Sequence, residues 1–318
     1  MRHHLKLVEL NFLMEWLFIQ LLMSSKEFFV NRYAVLGWKY EDVELKPAIR
    51  INSVNAREEE VVRRLQSLGV ELEKIPFLEK GYWVSRSEFS VGATTEYLLG
   101  YYSIQEAASQ IPATLFTNLE DKIVLDACAA PGGKTVQLAD LMGNTGAIIA
   151  LDVKLQRLTA LSNQLERCHV KNAIVYNLDA RYASKLGMRF DCILLDVPCS
   201  GNFSTDKEWF KRRTIKDVEE NAKRQKEILS ETAKVLKDNG EIVYSTCSLE
   251  PEENELNIDW AVKNLNLNVE KINCYGEPSP TKIFGKTLDG QVENCRRIWP
   301  GKTQGFFICK LKREASVR

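Results

Sequence analysis

The sequence predicts an α/β fold: a parallel sheet with helices on both faces. Three observations lead there. From residue 122 onward, short apolar runs rich in Ile, Val and Leu alternate with longer stretches at helical spacing. Four of those runs end in aspartate, at Asp126, Asp152, Asp179 and Asp196. The first leads into a Pro-Gly-Gly turn just ahead of a helix, where glycine lets backbone approach a ligand.

Composition sets the outer bounds. The 318 residues carry 43 basic and 43 acidic side chains, with 45% hydrophobic and 9% aromatic residues. That is enough apolar material for a core, and it argues against disorder and against a chain-wide polybasic binder of nucleic acid. A local basic patch would still suffice to hold phosphates. None of the eight cysteines pairs as C-x-x-C, and the three histidines (His3, His4 and His169) are too scattered for a zinc ligand set. No metal is expected. Free thiols in a reducing cytoplasm are.

At the N-terminus, Leu5 to Met23 is apolar, but Lys6, Glu9, Asn11 and Glu15 interrupt it. Such charges are costly in lipid, and no small-residue cleavage site follows, so no membrane span is expected. An amphipathic helix packed on the body fits better, with Met14 and Met23 as alternative starts. Ser24 to Lys26 breaks that helix and a second runs to about Trp38. Together they make residues 1–47 a helical extension.

Residues 48–105 form a small α/β unit. Ala48–Asn55 reads as a strand. Arg57–Leu68 is a helix carrying Val61, Val62, Leu65 and Leu68 on one face, and Gly69 stops it. Val70–Phe77 and Tyr82–Val84 are short strands. Residues 106–318 hold the main sheet. Its strands are Lys122–Asp126, Ala147–Asp152, Ala173–Asp179, Asp191–Asp196 and Glu241–Ser245. Leu267–Ile272 and Phe306–Leu311 are late strands. Helices fall at Thr135–Met142, Leu155–Arg167, Val218–Leu236 and Glu252–Asn264.

Ligands of such a sheet lie beyond the carboxyl ends of its strands. The loop Cys128-Ala129-Ala130-Pro131-Gly132-Gly133-Lys134 follows the first strand. Gly133-Lys134-Thr135 matches the tail of a P-loop, but Cys128 stands where its leading glycine should be, and the dinucleotide fingerprint G-x-G-x-x-G is absent. That leaves a nucleoside held by ribose and base. Asp152 is placed to accept the ribose hydroxyls and Asp179 an adenine amino group. S-adenosylmethionine is the cofactor that fits. Arg157, in the second helix, can approach it. Two further strand ends carry cysteines: Asp196-Val-Pro-Cys199-Ser-Gly201 and Ser245-Thr-Cys247-Ser248. Cys168, Cys192, Cys274 and Cys309 read as core, while Cys295 beside Arg296 and Arg297 is open to surface reactivity.

These motifs, in this order, resemble the Sun (NSUN-type) family of RNA cytosine-5 methyltransferases. Phe89–Glu106 resembles the lead-in segment of the short archaeal members, which act on tRNA. The resemblance spans about Ala48–Lys312. It departs in residues 1–47 and in the tail Ile298–Phe307, which lacks a His and Asp found in many relatives. It implies a Rossmann-like class I methyltransferase sheet, preceded by an RRM-like unit that helps position RNA. It also implies a mechanism. Cys247 as thiolate adds to cytosine carbon 6, which makes carbon 5 nucleophilic enough to take a methyl group. Asp196 attends nitrogen 3, and for that its carboxyl should be buried enough to hold a proton. Cys199 assists release, and Lys134 stabilises charge near Asp196 and Cys247. DNA cytosine-5 methyltransferases place the nucleophile at the Pro-Cys position, here Cys199, so the reversed assignment stays open.

The resemblance makes RNA the partner, tRNA ahead of rRNA, with a small archease-like specificity partner as in some archaeal relatives. A non-catalytic RNA-binding assembly factor is the rival reading. Lys207, Lys211, Arg212, Arg213 and Lys216, and then Lys223, Arg224 and Lys226, are the candidate phosphate contacts. Phe203, Trp209 and Phe210 are candidate supports for an unstacked cytosine.

Overall fold

The computed structural model describes residues 24–314. The apolar stretch Leu5–Met23 lies outside the described residues. No described helix is long and apolar enough to cross a membrane.

Helix α1 (Ser25–Val35) opens with a capping box in which Ser24 and Glu27 satisfy each other's backbone N–H groups. Its Phe29 and Tyr33 are buried against Phe203, Trp209 and Phe210. This overturns the expected base-stacking role. Trp209 is 1% exposed, and its indole N–H donates to the Ser200 carbonyl at 2.8 Å. Burying this much aromatic surface under α1 outweighs leaving it for a ligand.

The small unit comprises β1 (Ala48–Ile51), α2 (Glu58–Ser67), β2 (Glu71–Lys74), β3 (Gly81–Arg86) and β4 (Tyr102–Ile104). Its antiparallel sheet runs in the order β2-β3-β1-β4. Ile49 and Ile51 face α2 through Val61 and Leu65. The alternate residues face the other way: Ala48 and Trp83 pack with Ala107, Ile111 and Leu138 of the main body. Arg50, 3% exposed, reaches Asp140 at 3.3 Å. The face opposite α2 is therefore covered and cannot stack bases.

The main sheet is built from β5 (Ile123–Asp126), α3 (Gly133–Leu141), β6 (Ala147–Leu151), α4 (Leu155–Arg167), β7 (Ala173–Tyr176), β8 (Phe190–Asp196), α5 (Ile215–Lys234), β9 (Leu236–Thr246), α6 (Glu255–Asn264), β10 (Asn268–Glu270), β11 (Arg296–Ile298) and β12 (Phe306–Lys312). The parallel part runs β7-β6-β5-β8-β9, and β12 closes on β9 antiparallel, with β10 and β11 beside it. Strands buried on both faces feed two cores. Ile193 and Leu195 of β8 pack with Leu229 and Tyr244, while Cys192 and Leu194 pack with Leu138 and Val243. The connections change direction between β5 and β8, which opens a crevice at their carboxyl ends. Cys295 is 0% exposed, in the same core as Cys309. Surface reactivity is thus excluded for it. Cys168, Cys192 and Cys309 are buried as expected, whereas Cys274 is only partly so.

Candidate active site

Asp126 and Asp196 end the two strands that flank the crevice. Between them and the loop after β5 lies a cavity of about 250 Å³, lined by Cys128, Ala129, Ala130, Pro131, Gly133, Lys134, Asp126 and Asp196. Ile104–Glu106 and Ser109, from the end of β4 onward, form the opposite wall. Sequence reading missed that wall, because nothing local tells that β4 ends over this crevice. Gly132 does not line the cavity. It needs glycine for another reason: its φ is +111°, and a Cβ there would lie 2.9 Å from Leu161 Cδ1 of α4.

Asp126 is 1% exposed. Thr135 donates to its Oδ2 at 2.7 Å, while Oδ1 has no hydrogen-bond partner among the described residues. Burial pushes its pKa up to about 7. An orphaned buried carboxylate oxygen facing a cavity fits a ligand that brings a cation or N–H donors, as the amino acid end of S-adenosylmethionine does. The raised pKa has a consequence for stability. The folded protein favours protonated Asp126, so this group's contribution to stability falls as pH rises from about 4, its unfolded value, through about 7. Asp126→Asn should gain stability relative to the parent across that window. Urea denaturation at pH 5 and pH 8 measures it, and an unchanged difference would refute it.

Asp152, Arg157 and Asp179 stand outside the cavity. Arg157 bridges Asp152, at 3.1 Å, to the Ala130 carbonyl, so Asp152 is tied to the cavity wall through it. The Lys154 N–H donates to the other Asp152 oxygen at 2.9 Å. Asp179 caps the turn after β7 and is forked by Arg181 at 2.7–3.1 Å. Arg181 holds its carboxyl below the usual carboxylate range.

Lys134 Nζ meets Asp196 Oδ2 at 2.8 Å, and the Ser245 hydroxyl donates to Oδ1 at 2.8 Å. Ser245 reaches Asp196 because β8 and β9 place the two residues side by side. The Asp196 side chain is 32% exposed, which corrects the expectation of a buried carboxyl. Its second oxygen pairs with an ammonium instead of apolar surface. One loop onward, Cys199 and Cys247 lie with sulfurs 3.2 Å apart. The hydrogen bond to Cys247, then burial, push the Cys199 thiol well up, and either sulfur can be the donor to the other. Among the described residues, no group of three or more His, Cys, Asp or Glu could hold a metal ion.

The basic clusters are less free than the sequence suggests. Glu208 and Asp206 meet Lys211 and Arg212 at 2.9 and 3.5 Å, and Glu220 lies 3.9 Å from Lys216. Arg213 donates to the Ser200 carbonyl at 3.1 Å. Lys207, Lys223 and Arg224 are exposed, with no ion pair among the described residues. Half-buried Lys226 has its Nζ 5.8 Å from the centre of the Trp260 ring.

A family model described as 16S rRNA methyltransferase RsmB/F matches residues 113–312. A second, the N-terminal domain of 16S rRNA methyltransferase RsmF, matches residues 25–107. The latter includes residues 25–47, which carry no recognisable motif but supply α1. The chain is 34% identical to ribosomal RNA small subunit methyltransferase F of Aeromonas hydrophila, over 86% of this chain and 59% of that protein. It thus spans about three fifths of the length of such ribosomal relatives. It is 33% identical to the tRNA (cytosine(49)-C(5))-methyltransferase of Pyrococcus abyssi, over 89% of this chain and 95% of that one. Among solved structures, a methyltransferase homolog from Pyrococcus horikoshii superposes with a TM-score of 0.82 at 36% identity, covering 90% of this chain and 94% of that one. NSun6 from the same organism, solved with the S-adenosylmethionine analogue SFG, gives 0.76 at 25%, covering 86% and 92%. The chain therefore belongs to the RsmB/F (Sun) family of S-adenosylmethionine-dependent RNA cytosine-5 methyltransferases.

Proposed function

We propose that this protein methylates carbon 5 of a cytosine in tRNA through a covalent adduct on Cys247. The observation that carries this reading is the pair of sulfurs 3.2 Å apart, on the loops following the Lys134–Asp196 pair. Cys247 adds to carbon 6, and the ring electrons move toward nitrogen 3. Lys134, held at 2.8 Å by Asp196, supplies the positive charge that this developing charge requires. The Cys128–Lys134 loop would hold S-adenosylmethionine, with Asp152 tied to that wall through Arg157 and Asp179 farther out, and the cofactor when bound would supply an electrophilic methyl group. Cys199 donates its S–H to the Cys247 sulfur when that sulfur leaves.

The tRNA substrate class is supported by the 33% identity to the Pyrococcus abyssi tRNA enzyme over 89% of this chain. rRNA is the second reading, favoured by the descriptions of both matching family models. Lys207, Lys223 and Arg224 are the phosphate contacts left free by the internal pairing. Bisulfite sequencing of mixed tRNA and rRNA, incubated with the protein and S-adenosylmethionine, decides. Newly protected cytosines should appear in tRNA. Protection confined to rRNA would select the second reading, and none in either RNA would sink the enzymatic one.

A further inference from the structure

A buried carboxylate lies between the two cysteine loops and touches both. Glu253 is 0% exposed. Its Oε2 accepts from the Ser200 backbone N–H at 3.0 Å and from Gln225 Nε2 at 2.7 Å. Its Oε1 accepts from the Ser248 hydroxyl at 2.8 Å and from the Ser200 hydroxyl. Ser200 directly follows Cys199, and Ser248 directly follows Cys247. Gln225, on α5, also donates to the Pro198 carbonyl at 3.0 Å, and its own oxygen accepts from Tyr244 and Asn257 at 3.1 and 2.8 Å. One carboxylate thus joins both thiol loops to the interior of the domain.

The two loops do not depend on it equally. Cys247 follows an eleven-residue strand paired on both sides, and Asn202 holds its carbonyl at 2.7 Å. Cys199 lies on irregular backbone, and the Ser200 N–H and hydroxyl next to it both end on Glu253. Removing the carboxylate leaves those donors unsatisfied and loosens the Cys199 loop, which keeps the contacts of Trp209, Arg213 and Gln225 to its carbonyls, while the Cys247 strand keeps its ladder on both sides. We propose that Glu253 is a positioning residue that holds the Cys199 thiol against the Cys247 sulfur, so that release of the adduct depends on it more than formation does. In release, the carbon 5 proton passes to solvent and its bonding pair forms the carbon 5–carbon 6 double bond. The carbon 6–sulfur pair returns to Cys247, where the Cys199 S–H meets it. The inference rests on the assignment of Cys247 as nucleophile and Cys199 as release group.

The test uses the full chain, S-adenosylmethionine and a tRNA transcript that the parent protein methylates. Turnover, covalent adduct on a denaturing gel and the urea midpoint are read for E253A, E253Q, C199A and C247A. Turnover of E253A should fall by about 10²-fold, the scale of a displacement near 1 Å, while adduct per folded protein rises to the C199A level. E253Q should restore turnover. Its amide nitrogen can replace Oε1, because both serine hydroxyls can turn and accept from it, and its carbonyl keeps the two N–H donors. Loss of turnover and adduct together in E253A, in proportion to the folded fraction, would reduce Glu253 to a structural role and overturn the proposal. So would unchanged turnover. Adduct persisting in C247A would instead overturn the functional reading beneath it.

Discussion

Cys247→Ala should abolish methylation and the covalent RNA adduct together. The expected loss is on the order of 10⁴-fold or more, the scale seen when a covalent nucleophile is removed. Cys199→Ala should do something different: adduct accumulates and resists denaturation, because the sulfur leaves without its hydrogen-bond donor. The proposed division of labour starts from the contact between the two sulfurs, 3.2 Å apart. Cys199 keeps its proton, held there first by the hydrogen bond to Cys247 and then by burial. A thiol that retains its proton is a poor nucleophile and a good donor. The reversed pattern on a denaturing gel, with adduct lost in Cys199→Ala and trapped in Cys247→Ala, would exchange the two roles.

Arg297→Ala should destabilise the fold by roughly 3–5 kcal/mol, the cost of breaking a buried ion pair from one side. Arg297 and Glu255 meet at 2.5 Å, with side chains 2% and 0% exposed. A second nitrogen of the guanidinium donates to Glu255 at 2.8 Å and a third to the Leu249 carbonyl at 2.7 Å. This fork ties β11 to the chain segment leaving Cys247. Arg297→Lys should recover little, since an ammonium cannot serve both carboxylate oxygens and the carbonyl in that planar arrangement. Urea denaturation measures both variants. A loss under about 1 kcal/mol for the alanine would place the pair among those of little net worth.

How far the sequence could be read depended on how local each cause was. The parallel strands were legible because each is a short continuous apolar run, buried on both faces in all but the edge strand β7. β4 was not, since three residues show no period. β9 begins at Leu236, five residues before the expected strand, because the turn around Asn239, at φ +59°, stays within the ladder. The Cys128–Lys134 loop and the two cysteine motifs were legible as strand-end features. Ser245, Glu253 and the Ile104–Ser109 wall were not. Their roles arise from groups 49, 53 and 17 or more residues away in the chain, such as Ser245 to Asp196, Glu253 to Ser200 and Ser109 to Asp126.

By itself, then, the sequence determined the fold class, the strand ends at which chemistry can gather and the two thiols proposed to carry it. These follow from periodicity and residue type within single elements. Only the tertiary structure decided which groups meet. It brought Cys199 against Cys247, gave Asp196 a lysine where a buried carboxyl was expected, and hid Phe203, Trp209 and Phe210 beneath α1. The physical reason is the same in each case. Whether an aromatic or a carboxylate faces ligand or interior depends on what packs over it, and here the covering groups come from segments remote in the chain.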